Sequence, residues 1–218
     1  MTKEEWGQAH FRFAQSPQSW LLTAETLIDA ATQIYFSAAE QAAKFEAAST
    51  AATEKARSAL GDAGSGSASE EILEAEPKFL PAFMLYGFAI ENLLKGILVA
   101  QDGNRVGDKK INVPRTHNLV ELADEAKISL SAAECDLLKR LSTITTWSGR
   151  YPAAASLADF APIGIAIQEK LIKRHADDYA ATILFINKLK AMLPAGRDKR
   201  RGGVIVVWRG DLDDDPDE

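Results

Sequence analysis

Residues 79–100 read FLPAFMLYGFAIENLLKGILVA, the most apolar run in the chain. Three polar residues interrupt it: Glu91, Asn92 and Lys95. A membrane-spanning helix carrying a carboxylate and an ammonium would be costly, so a buried helix in a bundle is the cheaper reading. The run is apolar on nearly every side as far as Glu91 and is expected to form the central helix, over about residues 77–101. Asp102-Gly103-Asn104 supplies turn chemistry at its end.

On the N-terminal side, Gly61–Ser69 (GDAGSGSAS) has the composition of a flexible linker, and residues 61–76 are read as a loop between bundle helices. Before it, Ser16-Pro17 marks a helix start. Trp20, Ala24, Leu27, Ala31, Ile34, Tyr35 and Ala38 then recur at three- and four-residue steps. Beyond Phe45 the pattern thins to alanine. A helix over 17–60 would be about 65 Å long at 1.5 Å per residue. It must therefore protrude as an arm or break near Ser49-Thr50. Residues 1–16 are polar and mixed and are expected to be loosely ordered.

On the C-terminal side, Asn118 and Glu121 suggest a helix cap and its partner, with Leu119, Leu122 and Ala123 facing inward. Ser131 with Glu134 is a capping box that opens a helix burying Leu137, Leu138, Leu141, Ile144 and Trp147. Gly149 is expected to stop that helix. A last helix is expected from Pro162 to Leu193, with Ile172, Ala176, Tyr179, Ile183, Ile186 and Leu193 on its inner face. Residues 195–218 hold a basic run, the strand-like Val204–Trp208 and an acidic end, and read as a disordered tail or, in the alternative, as a strand that adds to another chain's edge. The fold class is thus all-α: an antiparallel four- to five-helix bundle over 17–194, with a long N-terminal helix and a flexible C-terminal tail.

Bulk properties agree. The 218 residues suffice for one substantial core. A net charge of −6 argues against wholesale coating of nucleic acid or membrane, leaving room for a local basic patch. One cysteine, Cys135, excludes an intrachain disulfide and a cysteine-rich metal site. The charged start, Met1–Trp6, has no apolar segment of the secretory type, and a cytoplasmic protein is expected.

Familiar catalytic patterns are missing. Gly64-Ser65-Gly66 has no strand before it and no Lys-Ser or Lys-Thr after it, so it is a linker and not a phosphate loop. His10, His117 and His175 form no pair at metal-ligand spacing, and neither metal nor cofactor is expected. Two features are sharper. Glu91 and Lys95 have the favoured orientation for a helical ion pair and should lie at a polar seam. Arg150-Tyr151 follows the glycine stop, where an arginine can fork onto a phosphate or carboxylate and a tyrosine can stack. The plainer alternative is that Arg150 clamps helix carbonyls or an acidic side chain.

The string Phe88–Leu98 (FAIENLLKGIL), with Glu91 ahead of the leucine–lysine pair Leu94-Lys95, resembles the central helix of the HEPN family. The later string Pro114–Leu122 (PRTHNLVEL) resembles that family's threonine-histidine-aspartate-leucine segment, here with Asn118 in place of aspartate. The likeness spans residues 77–194 as architecture and only these two strings as motifs. It implies a helical bundle, often a homodimer, that binds nucleotides or RNA. It also implies a setting in toxin–antitoxin or phage-defence systems and a protein partner such as a nucleotidyltransferase. Family members that cleave RNA carry an arginine followed after four to six residues by a histidine. Arg105 is too far before His117, Arg115 is too near, and Arg174 abuts His175, so that ribonuclease motif is missing.

The resulting expectation is a non-catalytic binding module whose ligand-binding residues are Glu91, Lys95, His117, Arg150 and Tyr151. His117 is the one catalytic candidate. The alternatives are a metal-independent ribonuclease or nucleotide-modifying partner with a non-standard site, and a protein–protein scaffold.

Overall fold

A computed structural model describes residues 2–60, 77–107, 109–148 and 164–193. The linker, the Gly149 stop, the Arg150-Tyr151 pair and the charged tail lie outside them. Within the described residues the protein is an all-α bundle of six helices: α1 (Lys3–Ala14), α2 (Pro17–Leu60), α3 (Leu80–Gln101), α4 (Leu119–Glu125), α5 (Ala132–Thr143) and α6 (Gly164–Met192). A 3-10 turn, Gly103–Arg105, follows α3, and a π turn, Ile144–Ser148, extends α5.

α3 is the axle. Its run Leu93, Leu94, Ile97 and Leu98 is at most 2% exposed, and each such side chain contributes about 2 kcal/mol of transfer free energy. α3 is the one described helix apolar and long enough to cross a membrane, and 72% of its most apolar window is buried inside the bundle. It starts at Leu80, later than the sequence suggested. Pro81 has no N–H and fits only in a first turn, so a start at Pro77 would have placed it too deep.

α2 lies antiparallel along α3, with Thr32 meeting Tyr86 and Trp20 meeting Gly96 at opposite ends. α6 runs parallel to α3, since His175 stacks on Phe79 and Leu193 lies by Gly96. α5 packs antiparallel to α6 through Glu134–Lys188 and Arg140–Asp178.

The long helix is unbroken. Thr50, Thr53 and Ser58 donate to the carbonyls of Glu46, Ser49 and Glu54, one turn back along the same continuous helix. Beyond Ala38 none of its described side chains is buried, and the alanine-rich half projects as an arm. The sixth helix is α1, over residues expected to be loosely ordered. Thr2 and Glu5 form a capping box there: Thr2 N–H donates to Glu5 Oε2 at 2.8 Å and Glu5 N–H to Thr2 Oγ1 at 3.2 Å.

The inner face of α6 keeps most of the expected residues, with Ile186 and Leu193 buried and Ile172, Tyr179 and Ile183 packed against the core, but its centre is shifted. Ala176 is exposed, while Leu171, Asp178, Thr182, Phe185 and Leu189 are buried. Two polar residues face inward because each finds a partner, Asp178 in Arg140 and Thr182 in the Asp178 carbonyl. α5 and the π turn bury Leu137, Leu138, Leu141 and Ile144 as expected, and the side chain of Trp147 lies outside what is described.

Gly87 lets the π turn approach α3. A Cβ there would fall on the methyl of Thr145, a fully buried residue whose hydroxyl donates to the carbonyls of Leu141 and Ser142. Gly87→Ala is expected to destabilise by about 1–3 kcal/mol through overpacking. Adding Thr145→Ser, which keeps the hydroxyl and removes the methyl, should restore most of that loss. Urea unfolding measures both, and a double variant no more stable than Gly87→Ala alone would refute the contact.

Candidate functional site

The two strings singled out in the sequence meet at Glu91. On α3, Lys95 lies one turn beyond it, and Lys95 Nζ donates to Glu91 Oε1 at 2.6 Å. His117 arrives from the far end of a seventeen-residue connection, 102–118, and its Nδ1 lies 2.8 Å from Glu91 Oε2. Each carboxylate oxygen thus has its own donor. The Glu91 side chain is 9% exposed, Lys95 12% and His117 39%, so the histidine is the member that water and ligands reach most easily.

The path of the connection explains the meeting. Val106 and Ile111 form an antiparallel bridge, and Asn112 N–H donates to Arg105 O at 2.7 Å, closing a small hairpin. Arg105 is tied down by Glu125 at 2.9 Å. The strand-like return then brings Thr116–Asn118 to the start of α4. Asn118 Oδ1 accepts from Val120 and Glu121 N–H, as an N-cap does. Glu121 does not complete the expected box. The Asn118 N–H donates to Thr116 Oγ1 at 3.0 Å, and that hydroxyl donates to Glu121 Oε2 at 3.3 Å. Ser142 of α5 accepts from Leu119 N–H at 2.9 Å and fixes the first turn from the other side. The Phe88 ring meets the imidazole edge-on, with centroids 6.1 Å apart.

A carboxylate oxygen can only accept, so the proton of this contact sits on Nδ1 of His117. Glu91, Lys95 and His117 are therefore one constellation in space. Arg150 and Tyr151, the remaining expected ligand-binding residues, lie outside the described residues. Among the described residues no group of three His, Cys, Asp or Glu side chains is placed to hold a metal ion.

A second polar cluster escaped sequence reading. Tyr35 of α2 hydrogen-bonds His175 Nδ1 of α6 at 3.0 Å and stacks on Tyr179 at 4.0 Å, while His175 stacks on Phe79 at 4.2 Å. Burial pushes the hydroxyl of Tyr35 up from its ordinary value, aided by neighbouring Tyr179. Burial also pushes Tyr86 up to about 12, against the hydrogen bond from Thr32. Burial holds His175 below the ordinary imidazole value. No signal in the sequence marks the Tyr35–His175 pair, whose members are 140 residues apart. The Arg140–Asp178 bridge across α5 and α6, 2.7 Å long, escaped for the same reason.

No protein-family model, curated protein or solved structure matches the chain.

Glu91→Ala would leave the Lys95 ammonium in a nearly closed position with no counter-charge. The expected loss is about 3 kcal/mol of stability, and Glu91→Ala with Lys95→Met should recover more than half of it. Denaturant unfolding decides, and two equally unstable variants would show that the ion pair is not the cause. For His175 the folded state disfavours the imidazolium, so the unfolded chain takes up its proton at higher pH. This contribution to stability is complete above the unfolded value of about 6.5 and falls as pH drops through the folded value. Thermal unfolding should show that acid loss reduced in His175→Gln; an unchanged pH profile in the variant would count against it.

Proposed function

We propose that the chain is a HEPN-like helical module that binds RNA or a nucleotide through phosphate, without cleaving it. One observation carries the reading. The two strings that resemble the family are joined physically at Glu91, whose two oxygens take Lys95 from one string and His117 from the other. The convergence supports treating them as one motif, of which His117 is the most exposed member. Arg150 supplies the second cationic group in this reading, a fork suited to phosphate. The module acts in the cytoplasm as a homodimer, alongside a protein partner such as a nucleotidyltransferase, in a toxin–antitoxin or phage-defence setting.

A second reading rests on the Glu91–His117 dyad. A carboxylate that holds Nδ1–H orients an imidazole and stabilises its protonated form, the arrangement needed for general acid–base chemistry at Nε2. In that reading the protein is a metal-independent ribonuclease with a non-standard site.

One set of measurements separates them. Fluorescence anisotropy with a labelled oligouridylate should show binding by the wild-type protein. Binding should weaken about tenfold in Arg150→Ala and in His117→Ala, the size of one charge-assisted hydrogen bond. Lys95→Ala should weaken it as well, because it exposes the ligand to the uncompensated charge of Glu91. Circular dichroism should stay helical throughout. Unchanged affinity in both Arg150→Ala and His117→Ala would remove the site. Cleavage of the same RNA by pure protein, lost in His117→Ala, would establish the second reading in place of the first.

A further inference from the structure

We propose that the groove between α5 and α6 carries a further phosphate contact, in which Arg140 and Arg174 together hold a phosphodiester of the bound RNA. The proposal rests on the RNA-binding reading above and adds a second point of attachment to it. Three side chains on two helices build the place. Arg140 of α5 donates through Nη2 to Oδ1 of Asp178 on α6 at 2.7 Å. Arg174 of α6 brings its own Nη2 to 3.8 Å from that same oxygen. Two guanidiniums thus converge on one carboxylate oxygen.

One carboxylate does not satisfy both. At 3.8 Å Arg174 is beyond hydrogen-bond reach of Asp178. It also stands four residues before the aspartate, the less favourable order for an ion pair along a helix. Arg140 uses a single N–H on Asp178, and its buried Nε meets no acceptor. The Asp178 side chain is 9% exposed, Arg140 36% and Arg174 55%, so the carboxylate lies beneath and the guanidiniums face solvent. A bridge between the two helices needs only Arg140 and Asp178 and gives Arg174 no task. A phosphate group complements what is left over. It is tetrahedral, offers several acceptor oxygens, and can bridge two planar forks that already share a neighbour.

The place is separate from the one at Glu91. Ser142 of α5 accepts from Leu119 N–H at 2.9 Å, so that flank of α5 faces α4 and the loop bearing His117. Residues two apart on a helix point in nearly opposite directions, and Arg140 accordingly reaches α6. α5 stands between the two contacts, and either can be removed without touching the other.

Salt dependence distinguishes a phosphate contact from a structural bridge, because each phosphate neutralised on a single strand adds about 0.7 to the slope of log Kd against log salt. The probe is a labelled oligouridylate without terminal phosphates, titrated with the full-length protein. In Arg174→Gln its binding should weaken about tenfold, with the slope reduced by about 0.7. Arg174→Lys keeps the charge, so it should keep the slope and recover part of the affinity. Asp178 retains Arg140 in both variants, and circular dichroism and thermal unfolding should match the wild type. Lys127 is an exposed cation just past α4, two residues before Ser129, whose carbonyl meets Lys188 well along α6 from Arg174. Lys127→Gln should leave the slope unchanged. Unchanged affinity and slope in Arg174→Gln, with His117→Ala still weakened, would overturn the contact and leave the binding module standing. Equal losses in Arg174→Gln and Lys127→Gln would overturn it too, since the attraction would then be diffuse. Absence of binding by the wild-type protein would overturn the proposed function and this contact together.

Discussion

The core helix α3 is covered by α2, α6, α4 and the π turn, and a helix so placed can carry a carboxylate only where both of its oxygens find donors. Glu91 meets that condition in two ways. Lys95, one turn on, is available locally in any helix with this spacing. The second donor has to come from elsewhere, and it is His117. An unpartnered carboxylate in such a position costs several kcal/mol, more than the pair contributes relative to an apolar replacement. The cluster therefore acts less as glue than as a constraint. It limits where the 102–118 connection can run, and so where α4 begins.

Small residues set the remaining geometry. Gly96 admits the Trp20 side chain, whose Cβ would lie 2.9 Å from a Cβ at that position, and Gly87 admits the π turn of α5. Ala24, Ala31 and Ala38 let α2 lie close along α3. The same alanine habit continues past Ala42, the last residue of α2 packed against the core among those described, and there it yields the arm. Alanine keeps a helix going at little cost and buries little, so one composition makes a packing face and then a free rod.

Some of this was legible in the amino acids and some was not, for physical reasons. Helix identity rested on period and on caps, and both are local: the Ser131–Glu134 box stands as read, and the Glu91–Lys95 pair follows from spacing alone. The Thr2–Glu5 box was equally local and was passed over because the segment behind it is polar. Long-range pairs were beyond reach. That Tyr35 meets His175, Arg140 meets Asp178 and His117 meets Glu91 depends on helix rotation and loop path, and neither leaves a periodic trace. The inner face of α6 shows the limit well. Apolar residues alone put Ala176 inside, whereas a satisfied Asp178 and Thr182 turn the helix by part of a turn. Within the site, Glu91, Lys95 and His117 were named from the two strings separately, and the distances that unite them came from the tertiary structure.

Electrostatic design separates two ways in which an acidic protein can receive a phosphate. A standing basic patch attracts anions at every pH and is weakened chiefly by salt. With a net charge of −6, such a patch must work against the rest of the molecule. A cluster whose charges are already paired behaves differently: it exerts little pull over distance and offers fixed geometry at contact. Glu91 belongs to a cluster of this second kind, because Lys95 Nζ lies 2.6 Å from one of its oxygens and His117 Nδ1 2.8 Å from the other. With both oxygens taken, the part of Glu91 is to hold the ammonium and to orient the ring rather than to serve as a ligand group itself.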